Sequence, residues 1–158
     1  MAGNSKSIRN AAPEADLTRH TGFLIRKFYQ KNQAIWQQLC KDAQMTSVQY
    51  AVLTVLQHSG PSSLTEIGRQ AAMDPATTRG VVERLRLRGM ISLDSDSKDR
   101  RKVIVKILSP GSSFLRTMDP VMPQVTDATL QPLNAAERLA LQFLLLKVTR
   151  TEGPAPPE

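Results

Sequence analysis

The sequence predicts a mainly α-helical fold carrying a small β wing. Three observations predict it. Two short helix starts, Ser63-Leu64-Thr65-Glu66 and Asp74-Pro75, follow one another across a tight turn. Behind them come two β-patterned segments joined by a charged connection, as in a hairpin. Apolar stripes at helical spacing stand on either side of this unit.

Each element follows from its residues. Leu17, Leu24, Phe28, Ile35 and Leu39 fall at spacings of 7, 4, 7 and 4. They predict one amphipathic helix of about six turns. Its apolar face exceeds what a small core covers, so part of it is expected to pack on another subunit. The segment Thr46–His58 is apolar nearly all round, as a central buried helix is, and Gly60-Pro61 ends it. At Ser63 the hydroxyl can accept from the Glu66 amide while the Glu66 carboxylate reaches back, which opens a short helix with Leu64, Ile67 and Ala71 inward. Asp74 is an acidic N-cap with Pro75 in the first helical position, where its missing N–H costs nothing. That helix runs to Arg88 and stops at Gly89. Two capped helices around a tight turn make a helix-turn-helix.

Met90–Leu93 reads as a strand, and Lys102–Leu108 as a second with Val103, Val105 and Ile107 on one face. Ser109-Pro110 starts another helix by the same N-cap and Pro logic, and Pro120 and Pro123 are expected to interrupt or kink it. Asn134-Ala135-Ala136-Glu137 opens the last helix, with Leu141, Leu144, Leu145 and Val148 on its apolar side. Residues 1–15 and 151–158 read as frayed tails.

Composition removes whole classes of function. At 158 residues and 17.5 kDa the chain is one compact domain, or two small ones sharing a core. Apolar residues at 41%, with the glycines added, suffice for a real core. Lys and Arg number 21 against 14 Asp and Glu, giving a net charge of +7, which favours a polyanionic partner, nucleic acid before membrane. No apolar run approaches the ~20 residues of a bilayer span, and the first 15 residues lack a signal peptide's apolar stretch. The single cysteine, Cys40, excludes an internal disulfide and suits a reducing cytoplasm. His20, Cys40 and His58 are too scattered for a metal site. With no glycine-rich phosphate loop and no GxSxG, no catalytic residue, cofactor or metal is expected.

The charge is concentrated. Arg79, Arg84, Arg86, Arg88, Lys98, Arg100, Arg101, Lys102 and Lys106 all fall within residues 79–106, which carry +5 of the chain's +7. A solvated basic face is the bland explanation. Its position, on the second helix of a helix-turn-helix and the hairpin behind it, favours a helix in the DNA major groove and a basic loop on phosphates or the minor groove.

From Asp96 the run Ser97-Lys98-Asp99-Arg100-Arg101, then Lys102 to Leu108 and Ser109-Pro110-Gly111, resembles the wing signature of the MarR family of winged-helix transcriptional regulators. Asp74 to Arg79, with Arg84-Leu85 and Gly89-Met90-Ile91, resembles that family's recognition helix and its exit. Leu130-Gln131-Pro132-Leu133 with Glu137-Arg138 resembles the start of its C-terminal dimerisation helix. The resemblance spans roughly residues 17–148. It implies a cytoplasmic winged helix-turn-helix homodimer that binds pseudo-palindromic double-stranded operator DNA. A small organic effector, an anionic aromatic or phenolic acid, lodges between dimer helices and DNA-binding lobe and releases the repressor. The domains implied are residues 16–45 and 110–150 for dimerisation and 46–109 for DNA. By position Ala76, Thr77 and Arg79 face base edges, Arg84 holds the backbone, and Lys98, Arg100 and Arg101 sit at the wing. Asp99 braces the wing arginine. Gly80 departs from the family, standing where a polar or basic reader is frequent.

For the effector the sequence offers His20, Phe23 and Tyr50. His20 lies three residues after Leu17 and four before Leu24, so it shares the apolar stripe and is either an interface histidine or a ligand contact. Phe23 and Tyr50 could line a pocket beside it or simply pack in the core. Cys40 has Lys41 as its only basic neighbour in sequence, which argues against a sensing thiol. His58 meets the dipole at its helix end. The alternative function is a ligand-independent architectural DNA binder, which shares the charge pattern and needs no pocket.

Overall fold

The computed structural model describes residues 17–95, 99 and 102–150. Both expected tails, and Lys98, Arg100 and Arg101 of the wing tip, lie outside the described residues. The order is α1 (Thr21–Leu39), α2 (Ser47–Ser59), β1 (Ser62–Ser63), α3 (Leu64–Gln70), α4 (Pro75–Leu87), β2 (Ile91–Ser95), β3 (Val103–Ile107), α5 (Ser109–Met118), α6 (Met122–Thr129) and α7 (Ala135–Thr149).

Helix α1 departs from the expected six turns. Leu17–Arg19 forms a separate turn of 3-10 helix, and His20 is the extended N-cap residue between the two. His20 is therefore a junction residue, exposed and making no side-chain cap, not a member of the apolar stripe. Farther along, Trp36 is 1% exposed, donates from Nε1 to the Met45 carbonyl at 2.8 Å, and packs its ring 5.4 Å from that of Tyr50.

The helix-turn-helix forms as its caps direct. Ser63 and Glu66 close a reciprocal box, and the Asp74 carboxylate accepts from the Thr77 amide at 2.9 Å. Gly68 permits the tight crossing of α3 on α4: a Cβ there would lie 2.9 Å from Thr78 Oγ1 and 3.1 Å from the Met73 carbonyl. Ala72, in the turn, holds φ +52°, a left-handed conformation costly for a residue with a Cβ.

β3 lies between β1 and β2, antiparallel to both. The wing strands were expected. β1 was not, because two serines carry no strand pattern, and pairing with Val105 and Ile104 is what extends them. Ser109 also differs from expectation: it is already helical, and the N-cap residue of α5 is Leu108, without a side-chain bond. The chain breaks between α5 and α6 around Pro120 as the proline pair requires.

Val52, Leu53 and Leu56 of α2 form the centre of the core with Ile67, Val81, Leu85, Ile91 and Val105, each at most 2% exposed. Helices α1 and α6 are joined outside it, where Lys31 Nζ and Asn32 Nδ2 donate to the Thr129 carbonyl and hydroxyl at 2.6 and 3.1 Å. α7 opens with the expected Asn134–Glu137 box but contains no buried residue.

Candidate nucleic-acid interface and effector cleft

α4 divides cleanly by burial. Thr78, Val81, Val82 and Leu85 face the core, whereas Ala76, Thr77, Arg79, Glu83, Arg84 and Arg86 are exposed. The cationic groups on that outer face are not equivalent. Arg86 is committed to Glu83, one turn back, by bonds of 2.9 and 2.6 Å from Nε and Nη2. The same bonds hold the Glu83 carboxyl below its ordinary range. Arg79 and Arg84 make no such pair among the described residues and remain available to an anion. Arg84 lies over Gly80, its Nη1 being 3.5 Å from where a Cβ would stand. The gap left by the missing reader is thus occupied by a guanidinium.

Thr77 is partly spent. Its hydroxyl donates to Asp74 Oδ2 at 2.5 Å, and that bond is the largest cause of an Asp74 carboxyl held below its usual range. With its proton so used, Thr77 can offer DNA a methyl and acceptor lone pairs, so it suits a base amino group better than a phosphate.

Arg79 also looks onto a cleft of about 490 Å³ with Ser63, Thr65, Glu66 and Lys102, between α3, α4 and the root of the wing. Lys102 immediately precedes β3, while Lys106 is occupied by Asp94 at 2.8 Å across the hairpin. Arg79 and Lys102 therefore converge from elements 23 positions apart in sequence. The Asp99 carbonyl accepts from the Lys102 amide at 2.8 Å.

The three effector candidates do not meet within one protomer. Phe23 is 13 residues before Trp36 on the same helix. That separation is roughly 20 Å along the axis, and Tyr50 packs on Trp36. Lys27 Nζ stands 5.7 Å from the Phe23 ring centroid. Tyr50 instead lines a cleft of about 350 Å³ between α2 and α5, with Thr54, Gln57, His58, Ser112, Leu115, Arg116 and Asp119. Gln57 and Ser112 join its two walls at 2.9 Å. Arg116 and His58 went unnoticed as cleft residues in the sequence. The signal was there: Tyr50, Thr54, Gln57 and His58, and again Ser112, Leu115, Arg116 and Asp119, are spaced as single helix faces. Nothing in the sequence said that those faces oppose each other.

A second, apolar groove of about 470 Å³ runs between Phe28 of α1, Leu130 just after α6, and Leu139, Leu141, Leu145 and Leu146 of α7. Beside it Leu24, Ile25, Phe143, Leu144 and Val148 are between 48% and 74% exposed. Among the described residues no helix is long and apolar enough to cross a membrane, and no acidic, His or Cys cluster could hold a metal.

The model of the MarR family matches residues 45–103. The chain is 44% identical over 133 residues to the HTH-type transcriptional repressor NicR of Pseudomonas putida, covering 84% of each. Among solved structures it resembles BpsR of Bordetella bronchiseptica, whose DNA binding is regulated by 6-hydroxynicotinic acid. The TM-score is 0.81 at 37% identity, over 89% of this chain and 100% of that one. It also resembles PcaV of Streptomyces coelicolor in complex with its natural ligand, with a TM-score of 0.80 at 27% identity, over 87% and 96%.

Proposed function

This chain belongs to the MarR family of transcriptional repressors and is not an enzyme, and we propose that it binds a pseudo-palindromic operator as a homodimer and is released by an anionic aromatic acid. The observation that carries the reading is the outer face of α4, where Arg79 and Arg84 stand without an ion-pair partner among the described residues. A recognition helix needs cations there that no internal carboxylate has neutralised. In this reading Ala76, Thr77 and Arg79 meet base edges, Arg84 meets phosphate, and Lys98, Arg100 and Arg101 extend the contact at the wing.

The dimer supplies the spacing. Two recognition helices address successive major grooves when their half-sites lie about 34–36 Å apart. The exposed apolar surfaces of α1 and α7 support a second copy as what covers them. With its work on DNA, the repressor belongs in the cytoplasm.

The effector occupies the α2–α5 cleft. Arg116 supplies the cationic side for a carboxylate, His58 a ring nitrogen for a hydrogen bond, Tyr50 an aromatic wall, and Thr54 and Ser112 hydroxyls for further bonds. His20 and Phe23, too far from Tyr50 in the same protomer, join this cleft from the second copy. The chain's likeness to a protein regulated by 6-hydroxynicotinic acid supports an effector of that chemical kind. Such a ligand shifts the protein only by its difference in affinity between the two arrangements.

Enrichment of duplexes from a randomised pool, followed by titration of the enriched duplex with 6-hydroxynicotinate and benzoate, tests the reading. A two-fold-symmetric site released by an aromatic acid is expected, with release weakened in Arg116→Gln while ligand-free DNA binding persists. An enriched site that no aromatic acid releases would leave a regulator of another effector class and remove this assignment of the cleft.

A further inference from the structure

Helix α4 is held at its two ends by different means. At the start, the Asp74 cap and the Gly68–Thr78 crossing set it against α3, within the helix-turn-helix. At the other end Arg88, its C-cap residue, makes an ion pair with Asp42, which lies 46 residues earlier in the connection between α1 and α2. The Asp42 and Arg88 side chains are 31% and 23% exposed, so the pair is sheltered without being sealed.

Asp42 is the hub of that connection. Its Oδ1 accepts from the Gln44 amide at 3.0 Å, and its carbonyl accepts from the Met45 amide at 2.9 Å and from the Cys40 thiol at 3.5 Å. The Met45 carbonyl in turn takes the Trp36 indole N–H. The carboxylate is thereby fixed to the buried end of α1. On the far side Arg88 directs Nη2 to Asp42, while its Nη1 is buried with no partner among the described residues. A buried donor left unpaired is costly. It persists here because the ion pair dictates where the guanidinium goes.

We propose that Asp42 and Arg88 are positioning residues for DNA reading. The pair latches the C-terminal end of α4 to the end of α1, and so ties the angle of the recognition helix to the helix expected at the dimer interface. Neither residue touches a base. The inference rests on the proposed reading of α4 as the recognition helix. Caps and core packing orient α4 inside its lobe; the latch orients it against α1, on which the distance between two recognition helices depends.

The signs of the charges make this testable. Asp42→Asn removes a negative charge near a basic surface, and frees Arg88. By charge alone it strengthens binding to every DNA. By the latch it weakens binding to the duplex enriched by the wild-type protein. The expected result is about a tenfold fall in affinity for that duplex, with binding to random-sequence DNA unchanged or stronger. Arg88→Met should reduce the same ratio, and combining it with Asp42→Asn should cost little more than one change alone, because the two remove a single interaction. The exchange of Asp42→Arg with Arg88→Asp keeps the net charge and should restore much of the ratio; Arg88→Lys, which keeps one ammonium donor, should restore part.

Melting curves and sedimentation of each variant show whether the lobe and the oligomer survive. Should Asp42→Asn unfold, Arg88→Lys and the exchanged pair carry the test. An unchanged ratio in Asp42→Asn, or a uniform gain on both DNAs, overturns the latch. So does a loss that the exchanged pair fails to recover while folding normally. Failure of the wild-type protein to enrich any duplex overturns the recognition-helix reading itself, and the latch with it.

Discussion

The winged lobe and the terminal helices bury their apolar residues in opposite ways. In the lobe, Val52, Leu53, Ile67, Leu85 and Val105 are at most 1% exposed, in one core that Trp36, Met45, Leu115 and Met118 of this same chain help to close. In α7, Leu139, Phe143 and Val148 are 69%, 64% and 74% exposed, and no residue is buried. The residue types are the same. What differs is whether one chain contains the matching surface. One chain completes the core of the lobe, whereas α7 presents a leucine-rich surface that this chain alone does not cover. Stability should therefore belong to the protomer in the first region and to the assembly in the second.

Breaking each region separately gives the largest expected effect. Leu145→Asp should leave the lobe folded but dissociate the dimer, reducing affinity for the enriched duplex by about 10²-fold or more as the two half-sites stop acting together. Sedimentation and DNA titration measure this; a dimer that survives the charge would show that α7 is not its interface. Leu85→Ala should instead cost roughly 2–5 kcal/mol of unfolding free energy by leaving a cavity in a closed core. That loss should be the same at every protein concentration.

Within the lobe, the two unpaired arginines sharpen the contrast between choosing a sequence and holding DNA. Arg79→Ala should cost roughly 1–3 kcal/mol on the enriched duplex and relax one base position. Arg84→Ala should weaken all sequences alike and lower the salt slope by about one unit. Equal losses on enriched and random DNA for Arg79→Ala would move it into the second class.

Backbone changes on α4 and its turn come next. Ala72→Gly should stabilise by about 1 kcal/mol, since glycine occupies the left-handed region without a Cβ penalty. Gly80→Ala fits sterically, its methyl in ordinary contact with Arg84, and should stabilise by about 0.5–1 kcal/mol through helix propensity. Chemical denaturation measures both changes, and DNA titration shows whether Arg84 keeps its contact.

The smallest effect is acidic. Hydrogen bonds from Thr77 and from Ser63 hold the carboxyls of Asp74 and Glu66 below their ordinary values. The stabilisation they give is present above the unfolded-state values and is lost as pH falls through the lower, folded ones. Thr77→Val, which deletes the hydroxyl bond but keeps the amide, should raise the Asp74 value toward normal. The Asp74 part of the acid limb should then be smaller and end at slightly higher pH, as carboxyl NMR titration can follow.

The helix-turn-helix was legible because its signals are local. Ser63 with Glu66, Asp74 with Thr77, and Asn134 with Glu137 are bonds over three residues, written in the order of the chain. The basic segment was legible for the same reason, though not its division: Arg86 and Lys106 are neutralised by Glu83 and Asp94, while Arg79 and Arg84 have no ion-pair partner among the described residues. A charge count cannot make that distinction.

His20 marks the boundary between what the sequence determined and what tertiary structure decided. Residue spacing alone placed it on a continuous apolar stripe, but the stripe is interrupted, and a side chain's face is undefined where the helix itself stops. By itself the sequence determined the starts of α3, α4 and α7, the recognition-helix motif, the wing strands and the excess of apolar surface at the two ends. Folding decided that two serines join the sheet, that the polar faces of α2 and α5 oppose each other, and that Asp42 meets Arg88. Local bonds draw their partners from a few neighbouring residues and can be read in order. Long-range contacts exist only after the chain has closed on itself, when packing of the core chooses which distant side chains become neighbours.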